Sequence, residues 1–386
     1  MDTFDPNDAK YDREGLPEAF LAEVRRTGGT CPVPGGGIFV GRYEQVEAIF
    51  ADPLTFHATL NFSGEPVSDD DLYLPEIEEP RHGEIRRVFN SFFSHHRSRH
   101  FESSIRRICA ALLEPMVHGG GGDLVSGFTR QVPSRTLVGA LGLPEEDADD
   151  LVRWSTDGVL SPRGVGSEDL PIHRYLRAQI ATRMAETERP NDFLTRLIET
   201  PVGGAPLSAN AIRAQMQIVI VAAVDTTTKL LGNLFGVLLH DPTLYARVRA
   251  DRELVPRLVE ETLRFAPPAW APYRITRRPV DALGMSIEAG RLVRVGIGSA
   301  NRDERVFESP HVFDIDRANA RDHLAFGGGP HVCPGASLAR LEGRIALESM
   351  LDRVAEIRPH PSAVYEPIPT IDVTRPRSLP AVMVPA

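Results

Sequence analysis

Cysteine occurs three times in 386 residues, at Cys31, Cys109 and Cys333. Cys333 has the most suggestive surroundings. It stands in FGGGPHVCPG, Phe326 to Gly335, just ahead of the amphipathic run ASLARLEGRIALESML. A helix starting there aims unpaired N–H groups and positive partial charge at the sulfur. That environment lowers a thiol pKa and favours thiolate. Gly327, Gly328, Gly329 and Gly335 let backbone approach something flat and close. Three chemistries compete for this loop. A phosphate loop lacks the Gly-Lys-Ser/Thr that should follow it. A nucleophilic cysteine would use His331 as base, although partner histidines are usually distant in sequence. The third is a thiolate that ligates a metal cofactor.

A second concentration of chemistry lies in the apolar run from Ser208 to His240. Asp225, Thr226, Thr227 and Thr228 interrupt it, and such residues are poor choices in mid-helix. The Thr226 hydroxyl can bond the carbonyl of Ala222, four residues back, and so bend the helix. A solvent-facing patch on a partly buried helix explains the same residues.

The elements that must position these groups are mostly helical. Period-3.6 patterns mark YEQVEAIFAD, HGEIRRVFNSFF, SIRRICAALLEPMV, RYLRAQIATRMAE and the Ser208–His240 run. Ser208 is a good N-cap, and Asp241-Pro242 ends that run. Its length of roughly 50 Å would cross the whole molecule. Strand-like pieces gather in GGIFVGR and in YRITRRPVDALGMSIEAGRLVRVG. The glycine runs Gly35–Gly37 and Gly119–Gly122 read as loops. There is no internal repeat and no convincing linker, so residues 1–386 read as one domain, mainly α with a small β region.

Composition excludes several classes. Hydrophobic residues make up 42%, enough for a large core. A net charge of −10 does not suit nucleic acid or an anionic membrane as main partner. Sparse, odd cysteines without CxxC spacing argue against a disulfide framework or cysteine zinc site. The acidic, polar N-terminus lacks a signal pattern. No apolar run reads as the roughly 18 residues of a membrane span. The expectation is a soluble, cytoplasmic protein.

The pattern Phe326-x-Gly-x-x-His331-x-Cys333-x-Gly335 resembles the haem-binding loop of the cytochrome P450 family, the haem-thiolate monooxygenases. The resemblance extends along nearly the whole chain. Glu261-Thr262-Leu263-Arg264 is similar to the family's Glu-x-x-Arg helix, and ANRDERVFESPHVFDIDR to the segment after it. Arg317 is then the implied third member of a structural lock with Glu261 and Arg264. His82 and Arg86, four apart on one helix face, resemble haem-propionate ligands. So do Arg274, at the start of a strand, and His331. Ala222-Ala223-Val224-Asp225-Thr226 looks like the oxygen-activation motif, with Ala223 where glycine is usual. The acid and threonine argue against the branch that uses hydrogen peroxide directly.

What the resemblance implies is specific. The fold would be a triangular helical prism, with haem b (iron protoporphyrin IX) between the long distal helix and the helix after Cys333. Cys333 would ligate the iron. His82, Arg86, Ala222, Arg274, Phe326, Gly327, His331 and Gly335 would complete the cofactor site. Asp225 and Thr226 would relay protons, and one oxygen atom from O2 would enter a C–H bond. Three cysteines cannot hold a four-cysteine cluster. Electrons would therefore come from a separate ferredoxin-type carrier and its NAD(P)H-dependent reductase. Arg97, Arg99, Arg106 and Arg107, in a basic run, are candidates to attract it. Pocket candidates are Val221, Ala222, Ala269, Trp270 and Thr374. The acidic 58–78 stretch reads as a solvated lid. The expected substrate is a neutral, mostly apolar molecule such as a terpenoid, steroid or polyketide, and the expected state is a monomer. Two rivals remain: a haem-binding or gas-responsive module without turnover, which has no need of Asp225-Thr226, and a cysteine hydrolase, which holds no haem.

Overall fold

The computed structural model describes residues 3–5, 17–60, 67–158, 170–282, 284–361 and 376–386. Helices dominate. In chain order they include α1 (Glu18–Thr27), α2 (Tyr43–Ala51), α3 (Arg81–Phe92), α4 (Glu102–His118), α5 (Gln131–Leu141) and α6 (Ala148–Gly158). Then come α7 (Pro171–Ala185), α8 (Phe193–Glu199), α9 (Ala209–His240), α10 (Pro242–Ala250), α11 (Leu254–Phe265) and α12 (Ala336–Arg353).

The 32-residue α9 is the axle. Ser208 caps it by accepting a hydrogen bond from the Ala211 N–H at 3.1 Å. Asp241 serves the next helix in the same way, accepting from the Leu244 N–H at 2.9 Å. α5, α6, α7 and α12 all pack on α9. Their side chains join one large apolar core with Val219, Ile220, Leu230, Leu234 and Phe235 of α9. By length and composition this helix could cross a membrane, contrary to the sequence expectation. Its most apolar window has a mean hydropathy of 1.4, but 78% of that window is buried inside the protein. The apolarity therefore serves the core.

The β region is smaller. β1 (Thr30–Val33), β2 (Gly37–Val40), β3 (Phe56–His57), β5 (Tyr273–Thr276) and β8 (Leu292–Val295) form a five-stranded sheet in the order β1-β2-β8-β5-β3. Only the β2–β8 pairing is parallel within it. β6 (Val280–Ala282) and β7 (Met285–Ile287) make a hairpin. β10 (Pro380–Pro385) is central to a three-stranded sheet, paired on one side with β9 (Val354–Pro359) and on the other with β4 (Gly121–Asp123). Strand β4 corrects the reading of Gly119–Gly122 as loop alone. Gly121 has φ 143°, and a Cβ there would lie 2.1 Å from the Ala381 carbonyl oxygen. The glycine run thus lets one backbone pair closely with another.

Candidate functional site

The cysteine loop is fixed from both sides. The Cys333 N–H donates to the Phe326 carbonyl at 2.9 Å, and the Val332 N–H to that of Gly329 at 3.2 Å. Gly327 and Gly329 sit at φ 69° and 59°, where L side chains are strained. At Gly329 there is no room either: a Cβ would lie 2.2 Å from the Phe50 carbonyl oxygen, at the end of α2. Below the loop, the Arg340 guanidinium stacks 4.5 Å from the Phe326 ring centroid. Glu260 holds Arg340 at 2.7 and 3.0 Å and His323 at 3.2 Å. Burial alone would raise the Glu260 pKa, but hydrogen bonds from His323 and Arg340 outweigh it and bring it down to about 2.

The thiol itself corrects the sequence argument. Burial pushes the Cys333 pKa up, not down. The Gly335 and Ala336 N–H groups and the charges of Arg86 and Arg340 act in the opposite direction without winning. The helix-end effect is present, but desolvation is larger. Cys31 and Cys109 are buried, and burial pushes both thiols up to about 12.

Beside the loop, basic side chains converge from three elements. Arg86 of α3 donates Nη2–H to the Val332 carbonyl and Nε–H to Asn90 Oδ1 at 2.8 Å. The His82 and His331 rings lie 4.5 Å apart. His82 Nδ1 is 2.9 Å from Glu79 Oε1, while its buried Nε2 has no hydrogen-bond partner among the described residues. Arg274 of β5 lies over the Phe50 ring at 5.4 Å, and burial lowers its pKa to about 10. Burial, then the charges of His82, Arg274, Arg86 and His57, push His331 down to about 4. So many crowded basic groups are suited to an anion.

On α9, Thr226 Oγ1–H donates to the Ala222 carbonyl at 2.6 Å, and Thr228 Oγ1–H to Val224 at 2.8 Å. Ala222 is exposed although the helix is buried on either side of it. Ala223, Asp225 and Thr226 are half-buried, and Val221 is buried. Asp225 Oδ2 lies 2.7 Å from Lys229 Nζ, a partner the sequence reading missed. The signal was available, since Lys229 is four residues on, in a run with almost no other charge. Glu260, His323 and Arg340 were also missed. Their sequence separations of 63 and 80 residues hid that cluster.

The side chains of Glu261, Arg264 and Arg317 meet, all buried. Other candidates lie elsewhere. Trp270 is 1% exposed, stacked on Phe39 at 5.9 Å in a cluster with Phe4, Leu21 and Val24. No face of the indole is left for a ligand, which corrects its assignment to a pocket. Ala269 is exposed. Thr374 lies outside the described residues. The solvated-lid reading of the acidic 58–78 stretch holds for some of its described acids and not for others: Asp69 and Glu78 are exposed, whereas Asp71 and Glu76 turn inward. Asp71 pairs with buried Arg213, and Asp70 with Arg81 at 2.8 Å. Glu76 is 5% exposed and accepts the Leu60 N–H at 2.8 Å.

Residues 172–355 match the family description Cytochrome P450. The chain is similar to cyclomarin C epoxidase CymV of Salinispora arenicola, 34% identical over 355 residues, covering 88% of each chain. It is 31% identical over 330 residues to the erythromycin C-12 hydroxylase of Saccharopolyspora erythraea, covering 82% of each. Among solved structures it resembles cytochrome P450 CYP109Q5 from Chondromyces apiculatus, with TM-score 0.85, 29% identity, and 100% and 99% of the two chains covered. With its helix-rich architecture and small sheet region, the chain belongs to the cytochrome P450 family of haem-thiolate oxidoreductases.

Proposed function

We propose that this protein is a monooxygenase that transfers one oxygen atom from O2 to a neutral, mostly apolar small molecule, into a C–H bond (hydroxylation) or across a C=C bond (epoxidation). One observation carries the reading: the Cys333 loop and the cluster of His82, Arg86, Arg274 and His331 stand together. A single thiol beside crowded basic groups, with a buried imidazole nitrogen that has no hydrogen-bond partner among the described residues, fits haem b with its iron and two carboxylates. Cys333 would hold the iron. His82, Arg86, Arg274 and His331 would hold the propionates, with Phe326, Gly327 and Gly335 shaping the loop and Ala222 lying opposite.

When bound, haem with a thiolate ligand supplies dioxygen activation, because the thiolate favours O–O cleavage. The chain supplies the surroundings. Burial raises the Cys333 pKa, so holding iron as thiolate would release the thiol proton. Arg86, bonded to the Val332 carbonyl, fixes the loop around the sulfur. Asp225 and Thr226 are the polar groups on the accessible stretch of α9, and they hold and pass protons there at Oδ2 and Oγ1. Val221, Ala222 and Ala269 give a substrate apolar contacts. The relatives named for cyclomarin C and erythromycin support a sizeable secondary metabolite, such as a polyketide, terpenoid or steroid.

Electrons would come from a ferredoxin-type carrier with its reductase. Of the four candidate arginines, Arg106 is held by Glu102 and Glu348, and Arg97 by the Asn191 carbonyl. Arg99 and Arg107 are exposed, and Arg99 lines a groove with Arg321, Arg340 and Arg344. Arg99→Glu with Arg107→Glu should weaken carrier affinity and flatten its salt dependence; unchanged values would remove these residues from the docking face. The chain acts as one cytoplasmic, monomeric domain over residues 1–386. The function is tested by titrating the oxidised protein with neutral polycycles and small carboxylates. Ligands that shift the iron from low to high spin are then offered for turnover with ferredoxin and reductase. Oxygenated product from a neutral ligand is expected. Turnover confined to carboxylates would overturn the substrate class.

A further inference from the structure

In α9 a lysine stands one turn beyond Asp225. Lys229 Nζ lies 2.7 Å from Asp225 Oδ2, with the two side chains 9% and 31% exposed. A buried ammonium is costly to desolvate, and a close carboxylate offsets that cost. An acid four residues ahead of a base is also the favourable order along a helix. An ion pair made for helix stability alone would do as well on the outer surface. This one sits within the apolar axle, beside Thr226, whose hydroxyl bonds Ala222 at the accessible stretch. A charge-assisted hydrogen bond narrows the directions a carboxylate can face. The carboxylate named for proton traffic is therefore tied to a buried cation.

We propose that Lys229 is a positioning residue: it fixes the direction of the Asp225 carboxylate and thereby governs proton delivery along the accessible face of α9. The inference rests on the functional reading above. Lys229 acts through Asp225, and its compact ammonium matches a 2.7 Å contact to one carboxylate oxygen.

The test uses the haem-loaded protein and dioxygen itself as probe, so it needs neither substrate nor carrier. Protein reduced with dithionite is mixed with air-saturated buffer in H2O or D2O, and its reoxidation is followed by absorption. Lys229→Met keeps the apolar stem. It should slow reoxidation about tenfold and raise the solvent isotope effect. Lys229→Arg should stay within a few-fold of the parent. A Lys229→Met protein with the parent's rate and isotope effect overturns the inference. Should Lys229→Met not accumulate, Lys229→Gln carries the same comparison. A second readout is independent of oxygen chemistry: urea midpoints of the parent, Asp225→Asn, Lys229→Met and the double variant. Non-additive shifts are expected, and additive ones overturn the coupling. A parent that binds no haem would overturn the functional reading instead, and the urea cycle would still report on the pair.

Discussion

Glu261 and Arg264 form a bidentate ion pair, with both N···O distances 2.7 Å and neither side chain exposed. Arg264 also donates to the carbonyls of Asn301, Pro310 and Val312, while Glu261 accepts from the Asp314 N–H and from Arg317. One buried pair thus gathers the chain from Asn301 to Arg317 and braces the segment leading into the cysteine loop. Removing one partner leaves the other charged and buried, at a cost of about 3–5 kcal/mol. Glu261→Gln and Arg264→Ala are each expected to lower the urea midpoint sharply and reduce haem content. Near-parent midpoints for both would contradict this bracing role.

Glu342 of α12 predicts a pH dependence. Burial raises its pKa to about 8, with the Thr136 hydroxyl pulling slightly the other way. The folded state therefore favours the neutral acid and binds more protons than the unfolded chain. Stability is fully present below the unfolded pKa of 4.5 and falls as pH rises towards about 8, by up to about 1.4 kcal/mol per unit. Glu342→Gln should lose this slope, so its advantage over the parent grows from pH 5 to pH 8. Parallel stability curves over that range would refute the assignment.

Gly329 is expected to tolerate no side chain. Its φ of 59° strains any L residue, and a Cβ would meet the Phe50 carbonyl at 2.2 Å. Gly329→Ala should cost about 2 kcal/mol or more and displace the loop from α2. Gly335→Ala is the control, since an added Cβ there finds, among the described residues, only Cys333 Sγ, at 3.8 Å. Differential scanning of both variants gives the comparison; equal losses would remove the steric explanation.

The cationic cluster should set haem retention. Arg274→Ala and His82→Ala are each expected to speed haem transfer to excess apomyoglobin, and Arg274→Lys to speed it less. Transfer at the parent's rate in both alanine variants would mean that these residues do not hold the propionates.

The parts legible in the sequence were those written locally. Glycine spacing and the helix after Cys333 announce the loop, and Ser208 and Asp241-Pro242 bound α9 as observed. The parts that were not legible depend on distant packing. Trp270 sits apart because Phe39 and Phe4 come to it from the other end of the chain. Asp70 and Asp71 looked like solvent-facing acids because Ser208 and Arg213, their partners, lie about 140 residues away. The thiol argument failed for a related reason: helix polarity can be read from order, but burial cannot. Lys229 was legible in spacing and was overlooked because four-residue pairs are usually surface features.

The most direct test is an absorption spectrum of the purified protein, reduced under carbon monoxide, beside Cys333→Ala. A thiolate-type reduced-carbonyl band in the parent, absent from the variant, is the expected result. A protein that takes up no haem, or a band that survives the substitution, would contradict the assignment of Cys333 as the iron ligand.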